Sequence, residues 1–344
     1  MTATASIEAE IIVVDNNSSD ESCEMMKNHF PDIILVENKE NYGFSKGNNI
    51  GIKQAKGEYL CILNPDTVIA EDTFIKMLTY AEKNPRMGIL GCQLIDGCGQ
   101  FLPESKRNLP TPATSIKKIL GISNPYYANR LNADEVGSVA ILVGAFMFLK
   151  KEIFLEVGGF DEDYFMYGED IDLSYKVLKA GYENTYYGKT AIIHFKGEST
   201  LKDKTYAKRF YGAMQIFYNK HFKANPFFDF VIWTGITFSR LFHHTSEHQK
   251  KEIKFYKLIT RNTQFKSKFP LAYQQSDNLE NIANGTQIIF DGNSFSYSEM
   301  ISEMKKLKSI GDVTFRILPS GSQFLIGSDS SQQRGEVVLL GEHK

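Results

Sequence analysis

The chain has 344 residues, 42% of them apolar and 23% charged, a composition that buries an ordinary globular core and excludes the polar, low-aromatic profile of a disordered chain. Its 39 basic and 41 acidic residues leave a net charge of −2, so no overall electrostatic drive toward nucleic acid is expected. Four cysteines (Cys23, Cys61, Cys92, Cys98) lack CxxC spacing, which argues against a structural zinc site and suits a reducing compartment.

No uninterrupted run of 18 apolar residues occurs, so no transmembrane helix is predicted. The nearest candidate, Phe227–Phe242, carries Asp229 and Arg240. The short, polar Met1–Ala9 stretch does not read as a signal peptide.

In chain order, Ile11–Val14 is a β-branched run that reads as a buried strand, ending in the polar loop Asp15-Asn16-Asn17-Ser18-Ser19-Asp20. Ser19 or Asp20 then caps a helix running to about Asn28. Ile33–Val36 is a second strand. Asn41–Gly47 reads as a loop, and a helix from about Gly47 to Ala55 follows. Tyr59–Leu63 is a third strand, stopping at Asn64-Pro65-Asp66. Thr73–Lys83 has a helical period, and Met87–Leu94 is another strand. Strands alternating with helices predict a parallel sheet with a ligand crevice at the carboxyl ends of its strands. Asp15 and Asp66 both fall at such ends and are expected in one crevice.

From Phe101 to Asp134 the chain is Pro-containing and irregular, with Lys106, Arg107, Lys117 and Lys118. Ile141–Leu149 is apolar around Gly144 and Ala145. A helix begins near Lys151 and stops at Gly158-Gly159, a second covers Glu169–Ala180, and Thr185–His194 is a strand. Lys202–Phe222 reads as a helix with a basic, aromatic surface that includes Lys204, Lys208 and Arg209, and Phe227–Arg261 continues as helix. After a linker around Lys266–Asn284, the pattern predicts strand, helix, strand at Thr286–Phe290, Ser296–Lys308 and Val313–Leu318, with short strands at Phe324–Ile326 and Val337–Leu340.

Several segments carry candidate chemistry, and each has a structural reading beside the functional one. Asp66, at a strand end, suits a divalent cation, and it equally suits an Asx-Pro turn capping the next helix. Asp15 is placed to accept a hydrogen bond from a nucleobase, or to be one member of a polar cap cluster. The loop Asn41-Tyr42-Gly43-Phe44-Ser45-Lys46-Gly47-Asn48 permits close backbone approach to a ligand before a helix N-terminus that favours an anion, though generic loops look the same. Glu169, Asp170 and Asp172 crowd one helix start. The helix dipole explains part of that, yet like charges so close raise one another's pKa, which suits a general base. His194 at a strand end could complete a metal shell or be a structural histidine.

The order of these segments is more informative than any one of them. VVDNNSSD, NYGFSKGNN, LNPDT, GAFMFLKKEIFLEVGGFDEDYFMYGEDIDLSYKVLKAGY and HFKGEST closely resemble inverting glycosyltransferase family 2, of the GT-A fold, and look most like its bacterial rhamnosyltransferase-type members, over about Ile11 to Leu201. The resemblance implies an α/β fold of the GT-A type, a Rossmann-like mixed sheet flanked by helices. The family's usual first strand and helix are not found before Ile11. It implies a catalytic base at Asp170 with Glu169 supporting it, and metal ligands at Asp66 and His194 for Mg2+ or Mn2+. It also implies donor contacts from Asp15, Asn17, Asn41, Gly43, Lys46, Asn48, Asn64, Gly144 and Ala145. Asn64 departs from the family's DxD pattern by replacing its first aspartate.

The expected organisation is a catalytic domain over residues 1–200, a helical extension over 201–265 and a small α/β module over 285–344. That last part looks like a fragment of a Rossmann-like module, and without a GxGxxG fingerprint it is assigned no cofactor. The implied partners are a nucleotide-sugar donor, dTDP-rhamnose or a UDP-hexose, and a glycan or lipid-linked glycan acceptor in cell-surface polysaccharide assembly. No nucleic acid is expected. The implied location is cytoplasmic; either Lys204, Lys208, Arg209 and the Phe227–Phe242 helix dock on the inner membrane face, or the helix packs against the catalytic domain. The rival reading is a catalytically impaired relative acting as a binding or scaffold partner. A nucleotidyltransferase would need a basic triphosphate loop near the first strand, and none is found.

Overall fold

The computed structural model describes residues 2–111, 126–196, 204–222, 252–262, 272–310, 312–330 and 334–340. Strand β1 (Ile12–Asp15) crosses through helix α1 (Ser22–His29) to a parallel partner, β2 (Ile34–Glu37), and the two form a sheet of their own. Helix α2 (Gly43–Gln54) lies on β1. Its glycines permit the contact: a Cβ on Gly51 would stand 2.6 Å from the Val14 side chain. The helix begins four residues earlier than the sequence predicts, so Gly43 and Lys46 belong to its first turns and not to a free loop.

The central sheet follows the order β3 (Tyr59–Leu63), β7 (Phe146–Lys150), β5 (Met87–Ile95), β8 (Glu183–His194), β4 (Thr67–Ile69), with β6 (Val136–Ser138) paired to β8. It is mixed, as the resemblance implies, and not the parallel sheet that strand–helix alternation alone suggests. Only β5 and β8 pair in parallel, and β7 enters antiparallel between β3 and β5. Strand–helix alternation cannot reveal this, because β7 returns to the sheet only after the long irregular stretch. Every residue of β5 is buried, which is why it reads as one unbroken apolar run. Helices α3 (Thr73–Lys83), α4 (Lys151–Glu156) and α5 (Glu169–Lys179) follow their strands, and α6 (Lys204–His221) packs on α5 through Ala213, Met214 and Phe217.

Among the described residues no strand joins β1 to β3. A cavity of about 1740 Å3 runs between Ile12–Val14 on one side and Leu60–Leu63 on the other, and extends to Asp66, His194 and Asp170.

A third sheet has the order β10 (Gln274–Ser276), β9 (Phe255–Ile259), β11 (Thr286–Asp291), β12 (Thr314–Leu318), β13 (Phe324–Ser328), β14 (Glu336–Leu339). This corrects two sequence expectations. Residues 255–259 are a strand and not the end of a helical extension, and the supposed linker contains β10. The C-terminal sheet therefore takes in chain from before residue 265. Leu258 and Ile259 are fully buried in a strand flanked on both sides, where sheet pairing overrides local propensity. The Phe227–Phe242 segment lies outside the described residues. Among the described residues no helix is long and apolar enough to cross a membrane.

Helix α7 (Tyr297–Leu307) joins the two large sheets. Its Met300, Ile301 and Met304 share one buried cluster with Val68, Ile95 and Ile193 of the central sheet.

Candidate active site

Three local structures deliver the site. The first is the pairing of β4 with β8. It is antiparallel, with Thr67 opposite His194, and the Phe195 amide donates to the Asp66 carbonyl at 2.9 Å. This register sets the Asp66 carboxylate 3.3 Å from Nε2 of His194. His194 is only 9% exposed, and neither ring nitrogen has a hydrogen-bond partner. A buried imidazole with both nitrogens unbonded is costly unless a ligand completes it. A carboxylate and an imidazole side by side could together hold a divalent cation. No cluster of three or more metal-ligating side chains occurs among the described residues.

The second is the entry to α5. Tyr167 and Gly168 have φ of 71° and 83°. A Cβ on Gly168 would come within 3.0 Å of Ala213, so this tight reversal needs glycine. A non-glycine residue at positive φ, as at Tyr167, is strained backbone of the kind that clusters at functional sites. The reversal delivers Glu169 and Asp170 to the cavity wall. Both are buried, at 7% and 8% exposure. Burial first, and the neighbouring Asp170 charge second, push the Glu169 carboxyl up to about 8. One of its oxygens has no hydrogen-bond partner. Asp172, by contrast, points away from the cavity. His221 of α6 lies 2.6 Å from it, and Lys176 lies at 3.1 Å.

The third is the turn before β7. The Gly144 amide donates to Asp170 Oδ2 at 3.1 Å, and the Ala145 carbonyl accepts from the Asn64 amide at 3.1 Å. Gly144, Ala145, Asn64 and Asn48 all line the cavity.

The other sequence candidates lie elsewhere. Asp15 and Asn17 do not line the cavity, although Val14 and Asn16 on either side of Asp15 do. Asp15 Oδ2 accepts from the Ser18 amide at 3.0 Å, so its carboxylate organises its own loop. Asn41, Gly43 and Lys46 also lie off the wall. Asn41 caps the Gly43 amide at 3.0 Å, and Lys46 sits over the Tyr42 ring at 3.9 Å. Instead Asn16, next to Asp15, reaches the wall. It donates to the Gly43 carbonyl at 3.0 Å and ties the two loops together.

Arg107, counted from sequence only as one of several basic residues, is the largest addition. It is 7% exposed and lies 2.6 Å from Asp170 Oδ2. No local signal could have shown this, since its position depends on backbone bonds to Ile141.

The mixed α/β sheet thus brings Asp66, Glu169 and Asp170 to the wall of one cavity. Residues 5–158 match the model of glycosyl transferase family 2. The chain resembles this family over just under half of its length.

It is 29% identical over 211 residues to the N-acetylglucosaminyl-diphospho-decaprenol L-rhamnosyltransferase of Mycobacterium tuberculosis, covering 56% of this chain and 68% of that protein. It is 25% identical over 224 residues to the low-salt glycan biosynthesis hexosyltransferase Agl10 of Haloferax volcanii, covering 64% and 68%. It is 28% identical over 165 residues to the rhamnosyltransferase WbbL of Escherichia coli, covering 45% and 61%. A solved structure of the Pyrobaculum calidifontis mannosyltransferase PcManGT with GDP-Man and Mn2+ aligns at 19% identity with a TM-score of 0.43, covering 66% of this chain and 59% of that one.

Proposed function

We propose that this chain is an inverting glycosyltransferase that takes rhamnose or a hexose from a nucleotide-diphosphate donor and passes it to a glycan or lipid-linked glycan. The observation that carries the reading is that Asp66, His194, Gly144 and Asp170 share the wall of one cavity. We assign the chemistry to residues 1–200.

Asp66 and His194 would hold Mg2+ or Mn2+, which neutralises the diphosphate as it leaves. Asp170 is the general base. The acceptor hydroxyl gives its proton to Asp170 while its oxygen bonds to the anomeric carbon. The bond from that carbon to the diphosphate breaks, and its electron pair leaves on the nucleoside diphosphate. A single in-line displacement inverts the anomeric centre. Glu169, which keeps its proton up to about pH 8, adds no second negative charge beside the base. The rhamnosyltransferase names among the relatives favour dTDP-rhamnose as donor, and the decaprenol in one of them favours a lipid-linked acceptor. Such an acceptor places the enzyme in peripheral contact with the inner face of the cytoplasmic membrane.

The test is calorimetry with UDP and dTDP, with and without Mn2+, beside nucleoside diphosphate release from UDP-glucose and dTDP-rhamnose. The expected result is Mn2+-dependent binding that Asp66→Ala weakens by about tenfold or more, together with slow donor hydrolysis. Absence of both binding and release would instead support the scaffold reading.

A further inference from the structure

We propose that Arg107 is a positioning residue for the reaction: it holds the Asp170 carboxylate so that only one oxygen, Oδ1, is left to take the acceptor's proton. The inference rests on Asp170 being the base. Arg107 is itself anchored, because its backbone amide and carbonyl both bond to Ile141 at 3.0 Å. From that anchor the guanidinium makes three contacts. Nη2 donates to the Leu142 carbonyl at 2.8 Å and to Asp170 Oδ2 at 2.6 Å, and Nη1 donates to the Tyr126 hydroxyl at 3.2 Å.

Counting acceptor positions on Asp170 gives the atom-level conclusion. A carboxylate oxygen has two lone pairs. Oδ2 spends both, on Arg107 and on the Gly144 amide. Oδ1 accepts one bond, from the Ile171 amide at 2.8 Å, and keeps one position open. The same constraint fixes the side-chain plane, since three donors from three separate segments leave it no rotation. A charged, planar donor is suited to this, because it makes several bonds in fixed directions where a lysine makes a point contact.

Arg107 also lines the cavity, and its Nε has no partner among the described residues. A competing role as a diphosphate ligand is therefore conceivable chemically, and the experiment separates the two.

The experiment uses the full chain in five forms: wild type, Arg107→Lys, Arg107→Met, Asp170→Asn and the double variant Arg107→Met/Asp170→Asn. Release of nucleoside diphosphate from UDP-glucose and dTDP-rhamnose is measured with Mn2+, and UDP and dTDP binding is measured by calorimetry. The expected result is a kcat reduced about 100-fold in Arg107→Met and about tenfold in Arg107→Lys, with donor KM and nucleotide Kd within about twofold of wild type. In an Asp170→Asn background the Arg107→Met change is expected to cost nothing further, because its effect runs through that carboxylate. This double variant replaces a buried ion pair by neutral groups, so it remains informative if Arg107→Met alone fails to fold.

A tenfold loss of nucleotide affinity with unchanged kcat would make Arg107 a phosphate ligand and overturn the proposal. So would unchanged kcat in both single Arg107 variants, or full additivity in the double variant. A wild type that neither binds nucleotide nor releases it would instead remove the transferase reading beneath the proposal.

Discussion

At the scale of single residues, the acidic run Tyr167–Asp172 divides its labour by environment. Asp170 is bonded and faces the cavity, Glu169 is buried beside it with an unbonded oxygen, and Asp172 is turned back into the helix packing. The charge cluster was legible in the sequence because it is contiguous. Which carboxylate does what was not, since that depends on Arg107, Gly144 and His221, none of them near in sequence. Glu169 yields a pH prediction. Its pKa is about 8 in the folded chain against an ordinary 4.5, so between those values the folded state binds a proton that the unfolded state has released. Stability from this group is therefore full below pH 4.5 and lost as pH rises through 8. Glu169→Gln is expected to melt close to wild type at pH 4.5, and on the order of 5 °C higher at pH 9. Equal melting curves at both pH values would show that Glu169 is not held protonated.

At the scale of elements, the metal-ligand pair was only half visible. Asp66 and His194 each stood out, but their meeting depends on β4, a three-residue strand that the sequence reading passed over, and on its antiparallel register with β8. Short strands carry little periodicity, and register is a long-range property. Helix α6 shows another long-range tie. Two neighbouring residues at its end fasten it to the catalytic unit, Lys220 to Asp161 and Asp163, and His221 to Asp172. The Asp172 side chain is almost wholly buried, and His221 Nε2 lies 2.6 Å from its Oδ1. His221→Ala removes this contact, with Lys176 remaining, and is expected to destabilise the chain by about 1–3 kcal/mol. Thermal unfolding checks this, and a melting curve unchanged from wild type would show that the pair contributes nothing.

At the scale of the whole molecule, the central and C-terminal sheets share one apolar cluster through helix α7. The sequence resemblance ended at Leu201 and gave no view of this junction, which joins segments as far apart as Glu71 and Tyr297. Glu71, just beyond β4, accepts from the Tyr297 and Ser298 amides at 2.7 and 3.1 Å, placing a carboxylate at the positive end of α7. Glu71→Ala is expected to cost about 1 kcal/mol and to speed hydrogen exchange of the amides of Tyr297–Leu307. Unchanged exchange would mean that the helix docks by its apolar face alone. The same junction holds β4, and through it Asp66, in line with His194, so the extra sheet buttresses the cavity from behind. What the molecule does with that cavity turns on one side chain, and the most direct measurement is Asp170→Asn, in which nucleoside diphosphate release is followed beside UDP and dTDP binding in the presence of Mn2+. Release falling by at least about 100-fold with nucleotide affinity within about twofold of wild type is the predicted result. Release at the wild-type rate would contradict the assignment of the base.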